Sequence, residues 1–207
     1  MSRLLSRLAI LSILPVFAAT SAKAHHAMGG QLPATFAEGF ISGLAHPVIG
    51  LDHLGFIVAA GLLAGVMGLS AWLPVAFVAA SIAGVMLHVQ LFNLPFAELV
   101  IALSVVAAGA LLALGREKPV AGLWAGLFAL AGVFHGYAYG ESIVGAEPTQ
   151  IAAYLAGLAV VQSVVGAGVA VIASGRAWTP ASLVPRLAGA AAFGIGLSAV
   201  MAQVIPG

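Results

Sequence analysis

The stretch LPFAELVIALSVVAAGALLAL, residues 94–114, contains a single ionisable side chain, Glu98. A helix needs about 20 predominantly apolar residues to cross the hydrocarbon core of a bilayer, so this stretch predicts a transmembrane helix. On either side of it, further apolar segments of similar length are separated by short breaks that carry turn residues. The predicted spans are Pro47–Leu69, Ala71–Leu91, Leu94–Leu114, Pro119–Gly140, Gln150–Ser174 and Ser182–Ile205. The sequence therefore predicts an all-α integral membrane protein with a six-helix bundle over residues 47–207.

The composition agrees with lipid as the main solvent. The chain is 62% hydrophobic and only 6% charged, whereas about 25% of residues are charged in soluble domains. A net charge of +1 without a basic cluster argues against a nucleic-acid partner. The chain has no cysteine, which excludes disulfides, thiolate metal sites and iron–sulfur clusters.

The first residues have the features of a cleavable signal peptide, predicted as residues 1–24. Two arginines precede the apolar stretch 8–19, which is too short to span a bilayer, and a small-x-small pattern ends at Ala24. Cleavage there would leave residues 25–46 as a periplasmic N-terminal segment. An uncleaved seventh helix is the alternative, and Pro15 and the short apolar stretch disfavour it.

Charge gives an independent indication of orientation. If the mature chain starts in the periplasm and crosses six times, its first, third and fifth loops are cytoplasmic. All lysines and arginines beyond the signal peptide then lie on the cytoplasmic side, as the positive-inside rule requires; they are Arg116, Lys118, Arg176 and Arg186. The sequence thus predicts a bacterial inner-membrane protein with both mature termini in the periplasm.

Ionisable side chains within the apolar segments are the candidate functional residues, because a charge at the membrane centre costs about 2.5–3.5 kcal/mol on insertion scales and usually marks a pathway or site. The predicted threading brings seven of them to one layer near the periplasm: His46, Asp52, His53, His88, Glu98, His135 and Glu141. On a regular helix two residues seven positions apart are about 10 Å apart along the axis, too far for one ion. However, the residue before Pro47 is disfavoured in helical geometry. We therefore expect His46 in an approach loop, from which it could fold over His53.

Other roles remain open for individual residues. The alternative for His88 is that it has no role in metal binding and merely hydrogen-bonds a backbone carbonyl or a neighbouring helix. Glu98 could be a first-turn carboxylate favoured by the helix dipole. The pattern favours an interfacial aromatic belt for Tyr137 and Tyr139.

Imidazoles combined with carboxylates are typical ligands of nickel, cobalt, zinc or copper(II). Magnesium and calcium pathways would use oxygen ligands with fewer histidines. Asp52 could be a ligand or could fix an imidazole tautomer. His25 and His26 are further metal-ligand candidates in the periplasm, or part of a disordered tail.

Two motifs resemble the HupE/UreJ family of hydrogenase/urease accessory permeases, which are secondary nickel and cobalt transporters. The first is His46-Pro-Val-Ile-Gly-Leu-Asp52-His53, and the second is Phe134-His135-Gly136-Tyr137-Ala138-Tyr139-Gly140-Glu141. Tyr139 departs from the pattern, in which a small residue stands there. The resemblance implies nickel uptake into the cytoplasm in support of hydrogenase or urease maturation. It carries over His46, Asp52, His53, His135 and Glu141 as functional positions and makes nickel the expected metal.

The predicted function is therefore transport by a secondary permease rather than catalysis. The chain lacks a Gly-rich nucleotide-binding loop, so we expect no ATP hydrolysis by it. The expected partners are the metal ion and the bilayer, and a homo-oligomer is compatible with the sequence. Three rivals do not transport: a membrane metalloenzyme, a haem-binding electron carrier, and a metal-binding sensor or structural subunit.

Overall fold

A computed structural model describes residues 30–69, 72–115 and 121–205, and these residues form α-helices and no strands. In chain order the helices are α1 (Phe36–Ile49), α2 (Leu51–Val66), α3 (Trp72–Val89), α4 (Ala97–Leu114), α5 (Ala121–Gly140), α6 (Pro148–Gly175) and α7 (Leu183–Val204). The all-α prediction is confirmed. The predicted signal peptide, His25 and His26 lie outside the described residues.

Three of the described helices are long and apolar enough to cross a membrane: α4, α6 and α7. Helices α1 and α2 meet this condition only together, and they are bent by 78° at the break between them. A broken span of this kind would be a fourth crossing. The apolar part of α3, Leu73–Val89, is shorter. The crossing by six helices therefore stays a prediction.

The first predicted span differs from the structure in its start and its continuity. Helix α1 begins at Phe36 rather than at Pro47. The Thr35 hydroxyl caps this start by accepting a hydrogen bond from the Glu38 amide at 3.2 Å. His46 therefore lies inside α1, and the expected approach loop is wrong. The packing of α1 against α6 holds its last turn helical although Pro47 removes one hydrogen bond there. The chain then leaves helical geometry at Gly50 (φ −76°, ψ 102°) and resumes as α2.

Close helix contacts through glycine organise the bundle. Helix α6 packs against both α1 and α2, while α3 pairs with α5 and α4 pairs with α7. On α6, a Cβ atom at Gly157 would lie 3.0 Å from the Leu44 amide nitrogen of α1. On α2, a Cβ atom at Gly61 would lie 2.6 Å from the Gly166 carbonyl oxygen of α6. Small residues allow backbones to approach this closely, and in lipid such packing drives helix association.

Opposite charges lie beside the two ends of α4. Its C-terminal end lies against the first turn of α7, where the Arg186 Nε donates a hydrogen bond to the Ala113 carbonyl oxygen at 3.0 Å. Arg176 lies just before α7, in the loop that follows α6, over the ring of Trp178 and 5.8 Å from its centroid. Glu98 lies in the first turn, at the other end of α4. The fold thus separates these arginines from Glu98 by the length of the helix.

Candidate metal site

Three buried histidines meet where α1 ends and α2 begins. His46, His53 and His135 have exposed fractions of 3%, 4% and 0%. The ring centroids of His46 and His53 are 6.3 Å apart, and those of His53 and His135 are 4.9 Å apart. The bend at Gly50 makes the first of these contacts, because two residues seven apart on a straight helix would be about 10 Å apart along the axis.

The hydrogen bonds around His135 indicate which ring nitrogens of His135 and His53 carry a proton. Ser104 donates its hydroxyl proton to the Ile101 carbonyl oxygen at 2.7 Å, and its oxygen lies 2.9 Å from Nε2 of His135. The Ser104 oxygen therefore accepts from Nε2–H of His135, which leaves a lone pair on Nδ1 of that ring. Nδ1 of His53 lies 2.7 Å from that atom. Nδ1–H of His53 is accordingly the donor, and the lone pair of the His53 ring is on Nε2.

His46 is held by a second set of hydroxyl groups. Its Nδ1 atom lies 2.8 Å from the Tyr154 hydroxyl oxygen and 3.1 Å from Ser142 Oγ. Tyr154 and Ser142 each also donate to the Tyr139 carbonyl oxygen, at 2.9 Å and 3.1 Å. This network ties the end of α1 to α5, to the turn after it, and to α6. It fixes the orientation of the His46 ring, as partners of metal-binding histidines typically do.

Aromatic side chains close the cluster. The Tyr139 ring lies 4.4 Å from that of His53 and 5.1 Å from that of His46, centroid to centroid. The Phe56 ring lies 4.6 Å from that of His135. Tyr139 is fully buried, so the interfacial-belt interpretation is wrong for this residue. Its helix turns the ring toward the histidines instead of the membrane surface.

Asp52 lies beside this cluster, half-buried in the first turn of α2. Its Oδ1 atom accepts a hydrogen bond from the His53 amide at 2.9 Å. A carboxylate is favourable at the N-terminus of a helix because it meets the positive end of the dipole and the unpaired amides. Asp52 thus stabilises the start of α2, from which His53 projects.

The remaining candidates line a separate cavity of about 510 Å³. Its polar lining residues are His88, Glu98, Tyr137, Glu141 and Gln203. Glu98 and Glu141 are exposed. Nδ1 of His88 lies 2.6 Å from the Tyr137 carbonyl oxygen, and the two rings stack at 4.2 Å. This is the kind of backbone hydrogen bond that one of the two interpretations of His88 predicts.

The structure thus places the seven candidates in two settings. His46, Asp52, His53 and His135 are at the buried group, and His88, Glu98 and Glu141 are at the cavity. Within residues 30–69, 72–115 and 121–205, no three histidine, aspartate or glutamate side chains are arranged to hold a metal ion.

Comparison with known proteins agrees with the two motifs. The sequence model of the HupE / UreJ protein family matches residues 13–199, which is most of the chain. The chain belongs to the HupE/UreJ family. One similar relative is Protein HupE of Rhizobium leguminosarum bv. viciae, which is 37% identical over 164 residues that cover 75% of this chain and 81% of the relative. No solved structure matches this chain.

Family membership makes this HupE/UreJ protein a bacterial membrane protein of an accessory and transport family rather than of a catalytic enzyme family. The matched region includes both motifs and both groups of candidate residues.

Sequence reasoning missed four polar residues of this HupE/UreJ protein: Ser104, Ser142, Tyr154 and Gln162. Three of them bond a histidine of the buried group. The available signal was the same one that singled out the histidines, namely a polar side chain within or next to an apolar segment. Serine and tyrosine are common in membrane helices and carry no charge, so this signal was weak for them.

Proposed function

We propose that this protein is a secondary permease that takes up nickel, or a similar divalent transition-metal ion, from the periplasm across the inner membrane. The observation that supports this most is the meeting of His46, His53 and His135, from three different helices, in a buried position among apolar side chains. Imidazole is a preferred ligand of nickel, cobalt, zinc and copper. Polar groups buried in membrane bundles usually mark a substrate path.

The His53–His135 pair has nearly the spacing that two ligands of one ion need. An imidazole nitrogen lies about 2.0–2.1 Å from a bound zinc ion, so two nitrogens on one ion are about 2.9–3.4 Å apart for bond angles of 90–110°. The two Nδ1 atoms are 2.7 Å apart. An opening of less than about 1 Å would let both bind the same ion. The proton between them would first have to move to Nε2 of His53 or leave, which links ion binding to proton movement.

A third ligand would come from movement at the break between α1 and α2. His46 precedes this break and Asp52 follows it, and both lie close to His53. Discontinuous helices commonly form the substrate sites of secondary transporters, because their ends can move as half-helices. The 78° bend at Gly50 gives this protein such an element.

The cavity lined by His88, Glu98 and Glu141 is the proposed periplasmic entrance. Carboxylates at the mouth of a cleft raise the local concentration of cations. The arginines beside the opposite end of α4 would be cytoplasmic by the positive-inside rule. In this orientation both mature termini are periplasmic, as the sequence predicts.

The test is uptake of radiolabelled nickel into proteoliposomes that contain the purified full-length protein. We expect accumulation above that of protein-free liposomes, with competition by cobalt and, to a measurable extent, by zinc or copper. The same preparation gives an optical spectrum. No uptake under any imposed ion gradient, or a Soret band in the spectrum, would contradict the permease and favour a binding protein or a haem carrier.

A further inference from the structure

Gln162, near the middle of α6, is a buried polar side chain that the histidine network does not use. Its exposed fraction is 1%, and among the described residues neither carboxamide atom has a hydrogen-bond partner. The Tyr139 hydroxyl is also fully buried and unpartnered within that part of the chain. The carboxamide of Gln162 is a near neighbour of this hydroxyl, but no hydrogen bond of good geometry joins the two groups.

Such an arrangement calls for an explanation because buried carboxamides are almost always hydrogen-bonded. A leucine would fill the same volume at lower cost in a lipid-solvated bundle. The unpaired groups are Oε1 and Nε2 of Gln162 and the Tyr139 hydroxyl, which together offer two oxygen acceptors and two kinds of donor. This set can bind a cation through oxygen or hold the water molecules of its hydration shell.

The position of Gln162 places it next to the histidines but deeper along α2. The Tyr139 ring contacts the rings of His46 and His53. Gly166, one turn after Gln162 on α6, packs against Gly61, which is about two turns after His53 on α2. Gln162 therefore lies about one turn beyond His53, on the side away from the start of α2.

We propose that the Gln162 carboxamide and the Tyr139 hydroxyl form a second binding station for a divalent transition-metal cation, which the ion reaches after the histidines. The station uses neutral oxygen ligands, which bind these metals more weakly than imidazole does. A weaker site beyond a stronger one lets the ion leave instead of remaining trapped, as conduction through several sites requires. This inference rests on the proposed transport function.

The test compares Gln162→Leu with Gln90→Leu in proteoliposomes, using nickel as the probe. Gln90 is exposed at the end of α3 and bonds the Met86 carbonyl oxygen, so the same chemical change is made away from the path. We expect Gln162→Leu to lower the maximal uptake rate at least tenfold, while equilibrium nickel binding changes less than twofold. Gln90→Leu should match the wild type in both. Because the leucine removes an unsatisfied polar group, Gln162→Leu should unfold at the same or a higher temperature than the wild type.

Wild-type uptake rates in Gln162→Leu would overturn the second station and leave the proposed permease intact. Absence of nickel uptake by the wild type would instead remove the permease. If Gln162→Leu does not accumulate in the membrane, Gln162→Met replaces it, because methionine has a similar length and no amide. We expect the same loss of maximal uptake rate, and a wild-type rate would again overturn the second station. Gln162→Asn keeps the carboxamide and should retain more uptake than the apolar variants; equal loss in Asn and Leu would contradict a role for the amide.

Discussion

His53 and His135 share a hydrogen bond between their Nδ1 atoms, 2.7 Å apart, although 82 positions separate them in the chain. The bond joins the first turn of α2 to the C-terminal half of α5. Each partner has a further hydrogen bond: the backbone amide of His53 donates to the Asp52 carboxylate, and the ring of His135 donates to the Ser104 hydroxyl oxygen. The proposed transport requires both imidazoles of this pair to bind the same ion.

The hydroxyl of Ser104 sets the tautomer of His135, so its removal should weaken nickel binding without unfolding the bundle. We expect Ser104→Ala to lower nickel affinity about tenfold, because partners that orient metal-binding imidazoles contribute about 10–100-fold. Ser104→Thr keeps a hydroxyl and should restore most of the loss. The measurement is equilibrium nickel binding by the purified variants. Ser198→Ala, at an exposed position of α7, is the matched control and should bind like the wild type.

The close contact of α1 with α6 holds His46 beside Tyr154, so a methyl group at Gly157 should disturb both stability and site. A Cβ atom there would lie 3.0 Å from the Leu44 amide nitrogen and would meet the Phe40 carbonyl oxygen. We expect Gly157→Ala to lower the free energy of unfolding by about 1–2 kcal/mol, after the gain from the higher helix propensity of alanine is included. Thermal unfolding in detergent measures this. Gly168→Ala is the control on the same helix. It gains the same helix propensity, but no neighbouring atom lies within 4 Å of the added Cβ atom, so the substitution should be neutral or stabilising.

The carboxylates of the cavity should affect the binding of nickel at the entrance rather than its later movement through the protein. We expect Glu98→Gln and Glu141→Gln to raise the nickel concentration for half-maximal uptake about tenfold, with a smaller change in the maximal rate. Glu147→Gln is the control, since Glu147 is exposed just before α6 and does not line the cavity. Initial rates over a range of nickel concentrations separate the two parameters. An unchanged concentration dependence in both cavity variants would argue against this cavity as the entrance.

The absence of cysteine from the sequence makes a labelling map of topology direct. We expect a membrane-impermeant maleimide, added to intact spheroplasts, to label Glu141→Cys and Gln203→Cys but not Arg176→Cys. Permeabilised cells should give labelling at all three positions. Labelling of Arg176→Cys from outside, with Glu141→Cys protected, would reverse the proposed orientation.

The sequence predicted the apolar helices and the histidines because both follow from local composition. Runs of apolar residues long enough to cross a bilayer define α4, α6 and α7, and the length of each run is visible without knowledge of its neighbours. Proline and histidine spacing also indicated that His46 and His53 needed a departure from a straight helix. The break lies at Gly50, however, and leaves His46 inside α1.

Features that depend on packing could not be read in this way. Tyr139 has the composition of an interfacial residue, and only the rotation of α5 against α2 turns its ring toward His53. The helical conformation of residues 36–46 depends on glycine contacts with α6, which lies more than 100 positions later in the chain. The location of Glu141 at the cavity likewise depends on the packing around the end of α5, which it directly follows.

Joint binding of one ion by the two imidazoles can be tested by the initial rate of radiolabelled nickel uptake. The variants are His53→Ala, His135→Ala and the double variant, each folded and present at equal density in proteoliposomes. If the two imidazoles bind one ion together, each single substitution should reduce uptake to near the protein-free background, and the double variant should be no lower than either. Uptake that stays near the wild-type rate in either single variant, or losses that multiply in the double variant, would contradict a shared site.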